Sequence, residues 1–180
     1  ATGAWLIYHI DVGASKYFDF TTTTPSTNSL VYTTAPTSRV FSPGNGIVNT
    51  SIYDEMIAYC FAPVEGYSAF GSYTGNGSTD GPFVFTGFKP RWVMIKATSF
   101  SEHWYIYDTK RKTYNVNQQP LLANETNGGL SYEGIADGGQ AIDILSNGFK
   151  IRGAWLTNNA SQNYIWIAFA EHPFNTARAR

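Results

Sequence analysis

Apolar residues in this chain come in short runs broken by Gly, Pro, Asn, Ser and Thr. No stretch repeats them at the three- and four-residue spacing of a buried helix face. That pattern predicts strands joined by turns, as in an all-β sandwich or barrel. Strands are expected at Trp5–His9, Tyr17–Thr22, Glu55–Phe61, Ala69–Tyr73, Pro82–Phe85, Arg91–Lys96, His103–Tyr107, Leu121–Asn124, Ala141–Leu145, Phe149–Arg152 and Asn163–Phe169. Met56–Phe61 and Tyr164–Phe169 are apolar at nearly every position. A strand covered on one face alternates, so both are expected to be central strands covered on both faces. A hairpin is expected about Asn147-Gly148, with Ile142, Ile144, Phe149 and Ile151 inward and Lys150 and Arg152 outward. Asn-Gly favours a type I′ turn, whose central residues need φ > 0. Thr21–Asn28 is polar and reads as a surface connection.

Composition narrows the partners. Hydrophobic residues make up 43% of the 180, enough for a core, while charged residues are only 14%, against roughly 25% in ordinary soluble domains. Net charge is −1, so no overall basic field exists to hold nucleic acid or an anionic membrane. No apolar run reaches the ~18 residues of a membrane-spanning helix. A single cysteine excludes an internal disulfide framework.

Two parts of the chain resemble each other in the same order. Trp5-Leu6-Ile7-Tyr8-His9 matches Trp104-Tyr105-Ile106-Tyr107-Asp108, and Phe41-Ser42-Pro43-Gly44 matches Leu145-Ser146-Asn147-Gly148. Asn49-Thr50-Ser51 matches Asn159-Ala160-Ser161, and Met56–Ala62 matches Tyr164–Ala170. A duplicated β unit of about 100 residues is therefore expected. Residues 1–66 would be a first, N-terminally incomplete copy, and residues 67–180 a complete second copy with a C-terminal tail. The abrupt first copy leads us to expect part of a longer chain, or a processed one.

The run Ala58-Tyr59-Cys60-Phe61-Ala62-Pro63-Val64-Glu65-Gly66-Tyr67-Ser68 leads into Phe70-Gly71-Ser72-Tyr73-Thr74-Gly75-Asn76-Gly77-Ser78. Gly87-Phe88-Lys89-Pro90-Arg91-Trp92-Val93-Met94-Ile95-Lys96, Trp104–Asp108 and Ala168-Phe169-Ala170-Glu171-His172-Pro173-Phe174 follow. Together these resemble a repeat domain of large virion proteins of tailed bacteriophages, many of them marine, of tail-fibre-like or unknown function. The resemblance implies an antiparallel β-sandwich of the concanavalin-like, jelly-roll type. It implies a protein of the virion surface that associates with other virion proteins and with copies of itself, as a trimer. It supplies no catalytic residues.

Residue chemistry points the same way. Cys60, in an apolar run with Ala168 as its repeat counterpart, reads as a core thiol rather than a nucleophile. His9, His103 and His172 lack zinc-ligand spacing. Asp19, Glu65, Asp108, Glu133 and Asp143 are scattered, whereas glycoside hydrolysis needs two carboxylates about 5–10 Å apart. Gly75–Gly81 is glycine-rich but precedes a strand, so it reads as a turn rather than a phosphate cradle. No catalytic residue, metal site or cofactor is expected. Trp5, Trp92, Trp104 and Trp166 read as core. The contact candidates are Trp155 and Asn158 in Gly153–Asn159, Tyr132 in the Gly128–Gly139 loop, and the basic cluster Lys110-Arg111-Lys112. The expected function is attachment of a virion to host polysaccharide by many weak contacts. A purely structural capsid decoration or adaptor is the alternative, and a polysaccharide hydrolase the third reading.

Overall fold

In the computed structural model, which describes residues 5–27, 34–44, 57–125 and 139–173, the strands are β1 (Leu6–Ile7), β2 (Lys16–Asp19), β3 (Pro25–Thr27), β4 (Ser68–Thr74), β5 (Phe83–Phe85), β6 (Pro90–Ala97), β7 (Trp104–Asp108), β8 (Leu121–Leu122), β9 (Ile142–Leu145), β10 (Gly148–Ile151) and β11 (Asn163–Ala170). The chain is all-β. A single 3-10 turn, Ile10–Val12, is the one helical element among the described residues. All strand pairs are antiparallel.

A five-stranded sheet in the order β4-β11-β6-β7-β8 is the middle layer. Its faces follow from the two-residue period of a strand. Val93, Ile95 and Ala97 of β6, Tyr105 and Tyr107 of β7, and Tyr164, Trp166 and Ala168 of β11 point into the main core. Met94, Trp104 and Ile165 alternate with them and point into a second core. β6 and β11 are thus covered on both faces, which makes β11 apolar at nearly every position, as expected for Tyr164–Phe169. Gly71 lies opposite Trp166. A Cβ there would sit 2.8 Å from the indole, so the glycine lets the ring lie across β4.

The main core is closed by a three-stranded sheet, β5-β10-β9, which contributes Val84, Ile142, Phe149 and Ile151. Phe149 meets Trp166 edge-on at 5.8 Å, and Tyr73 stacks on Tyr164 at 4.9 Å. The core tyrosines keep hydroxyl partners. Tyr73 donates to the Thr157 carbonyl at 2.6 Å, Tyr107 donates to the Gln140 carbonyl, and the Tyr164 oxygen accepts from Asn159 N–H at 2.8 Å. Burial raises the pKa of all three phenols.

The second core lies under the sheet β1-β2-β3, the third layer. Phe18 of β2 is fully buried and meets Trp104 edge-on at 5.5 Å, while Phe20 tilts against the same indole at 5.2 Å. Lys96 sits between the layers, only 1% exposed. Its ammonium donates to the carbonyls of Thr23, Ala97 (3.1 Å) and Glu102 (2.9 Å). Glu102 N–H donates back to the Thr23 carbonyl at 3.1 Å, and the hydroxyls of Thr24 and Ser101 are hydrogen-bonded at 2.9 Å. The edge of the N-terminal layer is stitched to the β6–β7 connection.

Several expectations need correction. Residues 57–61 form no strand and are exposed, Ile57 by 76%. β11 already lies between β4 and β6, so both of its hydrogen-bonding edges are occupied. Residues 57–62 hold no position equivalent to 165–170, and Trp5 is 59% exposed where Trp104 is buried. The sequence match between the two halves is not reproduced as a structural match there. Cys60 is exposed, not a core thiol. Part of the connection expected at Thr21–Asn28 is strand β3. The remaining repeat segments around Asn49 and residues 55–56 lie outside the described residues.

The hairpin β9–β10 is present, with Lys150 and Arg152 outward, but Leu145 pairs with Gly148. The connecting pair is therefore Ser146-Asn147. None of residues 146–148 has positive φ, so the turn is not type I′. Gly148 is required for another reason: a Cβ there would run into the Val84 carbonyl oxygen and crowd the Phe83 ring. Gly148→Ala is expected to cost about 1–3 kcal/mol, the usual range for overpacking, measured by chemical denaturation.

Candidate functional site: a basic groove at one end of the sheets

Antiparallel pairing brings particular strand ends together. Ala170 at the end of β11 pairs with Pro90 at the start of β6, and Trp92 pairs with Asp108 at the end of β7. Two backbone bonds fix the segments beyond: Glu171 N–H donates to the Lys89 carbonyl at 2.9 Å, and Thr109 N–H to the Arg91 carbonyl at 3.0 Å. Lys89, Glu171 and the loop that starts at Thr109 therefore converge at one end of the stacked sheets.

They line a groove of about 280 Å³ with Lys89, Lys110, Lys112, Tyr114, Asn115 and Glu171 on its walls. The loop is shaped locally. Lys110 N–H donates to the Asp108 carboxylate at 2.7 Å, and Arg111 and Lys112 N–H donate to the Asp108 carbonyl, both at 3.2 Å. Asn115 ties the far side down, exchanging two bonds of 2.9 Å with the backbone of Ile144. Tyr114 is left projecting, 80% exposed.

Three lysines and one glutamate line the groove, so its lining is net positive. Lys89 pairs with Glu171 at 2.7 Å. Its hydrogen bond holds the Glu171 carboxyl below the usual range, and Lys89 and Lys110 charges add to this. Arg111 lies outside the groove lining and donates to the Gln119 carbonyl at 3.2 Å. The volume is close to the ~300 Å³ at which enclosed small-molecule sites begin. Its lining has the chemistry for a shallow contact with an acidic group and a ring that stacks on Tyr114.

The other expected contact residues lie at the opposite end. Trp155 is 55% exposed and its indole lies over Gly139, where a Cβ would strike the ring. Asn158 is fully buried and is corrected from a contact residue to an internal pin. Its amide nitrogen donates to Asn76 Oδ1 (2.9 Å) and to the carbonyls of Ser78 (2.7 Å) and Gly153 (2.8 Å). Its oxygen accepts from Asn76 N–H at 2.9 Å. Both polar atoms of the side chain are engaged inside the fold, and the residue has no exposed surface to offer a ligand. It holds the Gly75–Gly81 turn closed. Tyr132 lies outside the described residues.

The carboxylates near the outer face of β10 are each paired with a cation. Asp80 pairs with Lys150 at 2.8 Å, and Asp143 with Arg152 at 2.6 Å. The Lys150 hydrogen bond lowers the Asp80 pKa, opposite to what a glycosidase general acid needs. Among the described residues, no group of three or more His, Cys, Asp or Glu is placed to hold a metal.

Lys89, Tyr114 and Glu171 were not singled out from the sequence. Tyr114, two residues beyond the basic triplet, carried a local signal. Lys89 and Glu171 are joined only through the β6–β11 pairing. No curated protein and no solved structure matches the chain. The model of a family described as a domain of unknown function, DUF7483, matches residues 1–173, and the chain belongs to that family.

Proposed function

We propose that this chain is a non-catalytic module of a bacteriophage virion surface, a tail-fibre or head-fibre component that helps attach the particle to acidic polysaccharide on its host. The observation that carries the reading is the convergence of Lys89, Lys110 and Lys112 beside the projecting ring of Tyr114. Lysines attract carboxylate or sulfate groups of a polymer, and an exposed tyrosine offers a face to a sugar ring. One shallow groove binds weakly, and several copies on a particle, a trimer in the fibre resemblance, add up by avidity. Loops at the end of rigid sheets suit recognition. The virion resemblance supplies the setting, and the two sheets sharing the main core are read as a concanavalin-like, jelly-roll sandwich. β4 to β11 all fall within residues 67–180, which we read as the complete unit, with residues 1–66 supplying the outer layer.

The test is binding of the full chain, displayed in many copies on a bead, to acidic and neutral bacterial polysaccharides. Binding to the acidic polymer is expected to fall steeply with salt. Lys110→Ala/Lys112→Ala is expected to weaken it at least about tenfold while leaving the melting temperature unchanged. Equal binding to neutral polymer, or release of reducing ends, would contradict the reading. The structural alternative is supported by a different surface, the exposed Trp5, Ile57, Tyr59 and Phe61, where Trp5 stacks on Tyr59 at 6.1 Å. A chain that ignores every polysaccharide yet binds other virion proteins would favour that alternative.

A further inference from the structure

Among the described residues β5 is an edge strand: β10 lies on one side of it and no described strand on the other. The direction of its backbone groups is fixed by its neighbours. Ile151 N–H donates to the Pro82 carbonyl and Thr86 N–H to the Asn147 carbonyl, both at 3.0 Å. Pro82, Val84 and Thr86 therefore turn their backbone toward β10. Phe83 and Phe85 turn theirs away, and no partner among the described residues meets them. The opposite edge of the same sheet is closed, by the Asn115 amide on Ile144 and by reciprocal backbone bonds between Asn117 and Ile142 at 2.8 and 3.0 Å. An open edge is a template for strand pairing, and proteins usually guard one with charge or a bulge. Here Val84 points into the core, while Phe83 and Phe85 are exposed on the sheet's outer face, Phe85 by 64%.

We propose that β5 is a self-pairing edge, through which two copies of this chain join antiparallel into one continuous sheet, β9-β10-β5-β5-β10-β9. The outward groups of Phe83 and Phe85 admit a register with Phe83 opposite Phe85 of the other copy and Val84 opposite Val84. A two-fold axis through the sheet makes that contact self-complementary. It sets four phenylalanine rings in cross-strand pairs on one face. Gly81–Phe88 carries no charge, so no like charges are opposed. Asp80 precedes the segment and Lys89 follows it, with side chains 82% and 51% exposed. Each is paired within its own copy, Asp80 with Lys150 and Lys89 with Glu171, so neither end opposes a bare charge, and the self-complementary pattern of outward Phe83 and Phe85 backbone groups selects a second copy as the occupant. Such a contact joins copies pairwise. It does not rest on polysaccharide binding, and it is separate from the threefold assembly implied by the fibre resemblance.

Sedimentation velocity on the full chain, from micromolar to millimolar, tests the proposal. The wild type is expected to show a concentration-dependent dimer. Phe83→Glu or Phe85→Lys alone is expected to weaken it at least about tenfold, with an unchanged melting temperature. The double variant Phe83→Glu/Phe85→Lys sets an acid opposite a base in both cross-strand pairs and is expected to restore the dimer. Without any variant, amide exchange at Phe83 and Phe85 is expected to slow as concentration rises. A chain that stays monomeric at millimolar concentration, an oligomer indifferent to both single variants, or exchange at Phe83 and Phe85 that ignores concentration would overturn it.

Discussion

Phe18→Ala is expected to destabilise the protein by about 3–5 kcal/mol, the range for truncating a buried phenylalanine. Phe18 has no exposed surface and seals the second core against Trp104, Met94 and Ile165. Its loss leaves a cavity between two sheets that cannot close, because β2 is held by β1 on one side and β3 on the other. The cost is large against a total stability of about 5–15 kcal/mol. Chemical denaturation at pH 7 reads it. A change within about 0.5 kcal/mol, the size of an ordinary surface substitution, would mean that β1-β2-β3 is not packed on the middle sheet.

Lys96→Met should cost about 2–4 kcal/mol at pH 7, because carbonyls at Ala97 and Glu102 lose a buried donor. The wild-type lysine also gives a signed pH dependence. Burial lowers its pKa to about 8, against an opposing contribution from Glu102. Unfolded lysine keeps its proton to about pH 10.4. Between those values the unfolded chain binds more protons, so stability rises with pH, by roughly 2 kcal/mol from pH 8 to pH 9.5. Tyr73, Tyr107 and Tyr164 act in the opposite sense. Burial raises their pKa values, so above about pH 10 the unfolded phenols ionise first and stability falls. A maximum between about pH 9 and 10 is expected, and Lys96→Met should abolish the rise while keeping the fall. Denaturation midpoints across pH 7–11 would show it, and a wild-type curve that declines steadily from pH 8 would contradict the buried lysine.

Much of the architecture was legible because a strand covered on both faces has a sequence of its own. Tyr164–Ala168 alternates between two cores, and that left it apolar throughout. The same signature misled at Met56–Phe61. An apolar run records that rings and branched chains are present, not that an edge is open to receive them. Residues 57–61 lie beside a sheet whose central positions are filled, with Phe61 meeting Phe169 edge-on at 6.0 Å. Asn147-Gly148 misled differently: the glycine answers to the close approach of β5 rather than to turn geometry. Asn158 looked like a loop residue free for contact, but the turn it closes lies some eighty positions away in the chain.

The candidate site was half legible. Lys110-Arg111-Lys112 stands out as the basic cluster of a weakly charged chain. Lys89 and Glu171 reach the groove only because β6 and β11 are neighbours of opposite direction. Local sequence has no access to that pairing. The groove is therefore a product of sheet order, and its chemistry depends on the sheet staying rigid.

Whether the groove is the contact surface is decided by mapping backbone amide shifts while the full chain is titrated with an acidic oligosaccharide. Shifts confined to Lys89, Thr109–Asn115 and Glu171, fading as salt is raised, are the expected result. Shifts centred on Trp155 at the far end, or a spectrum that does not respond, would contradict it.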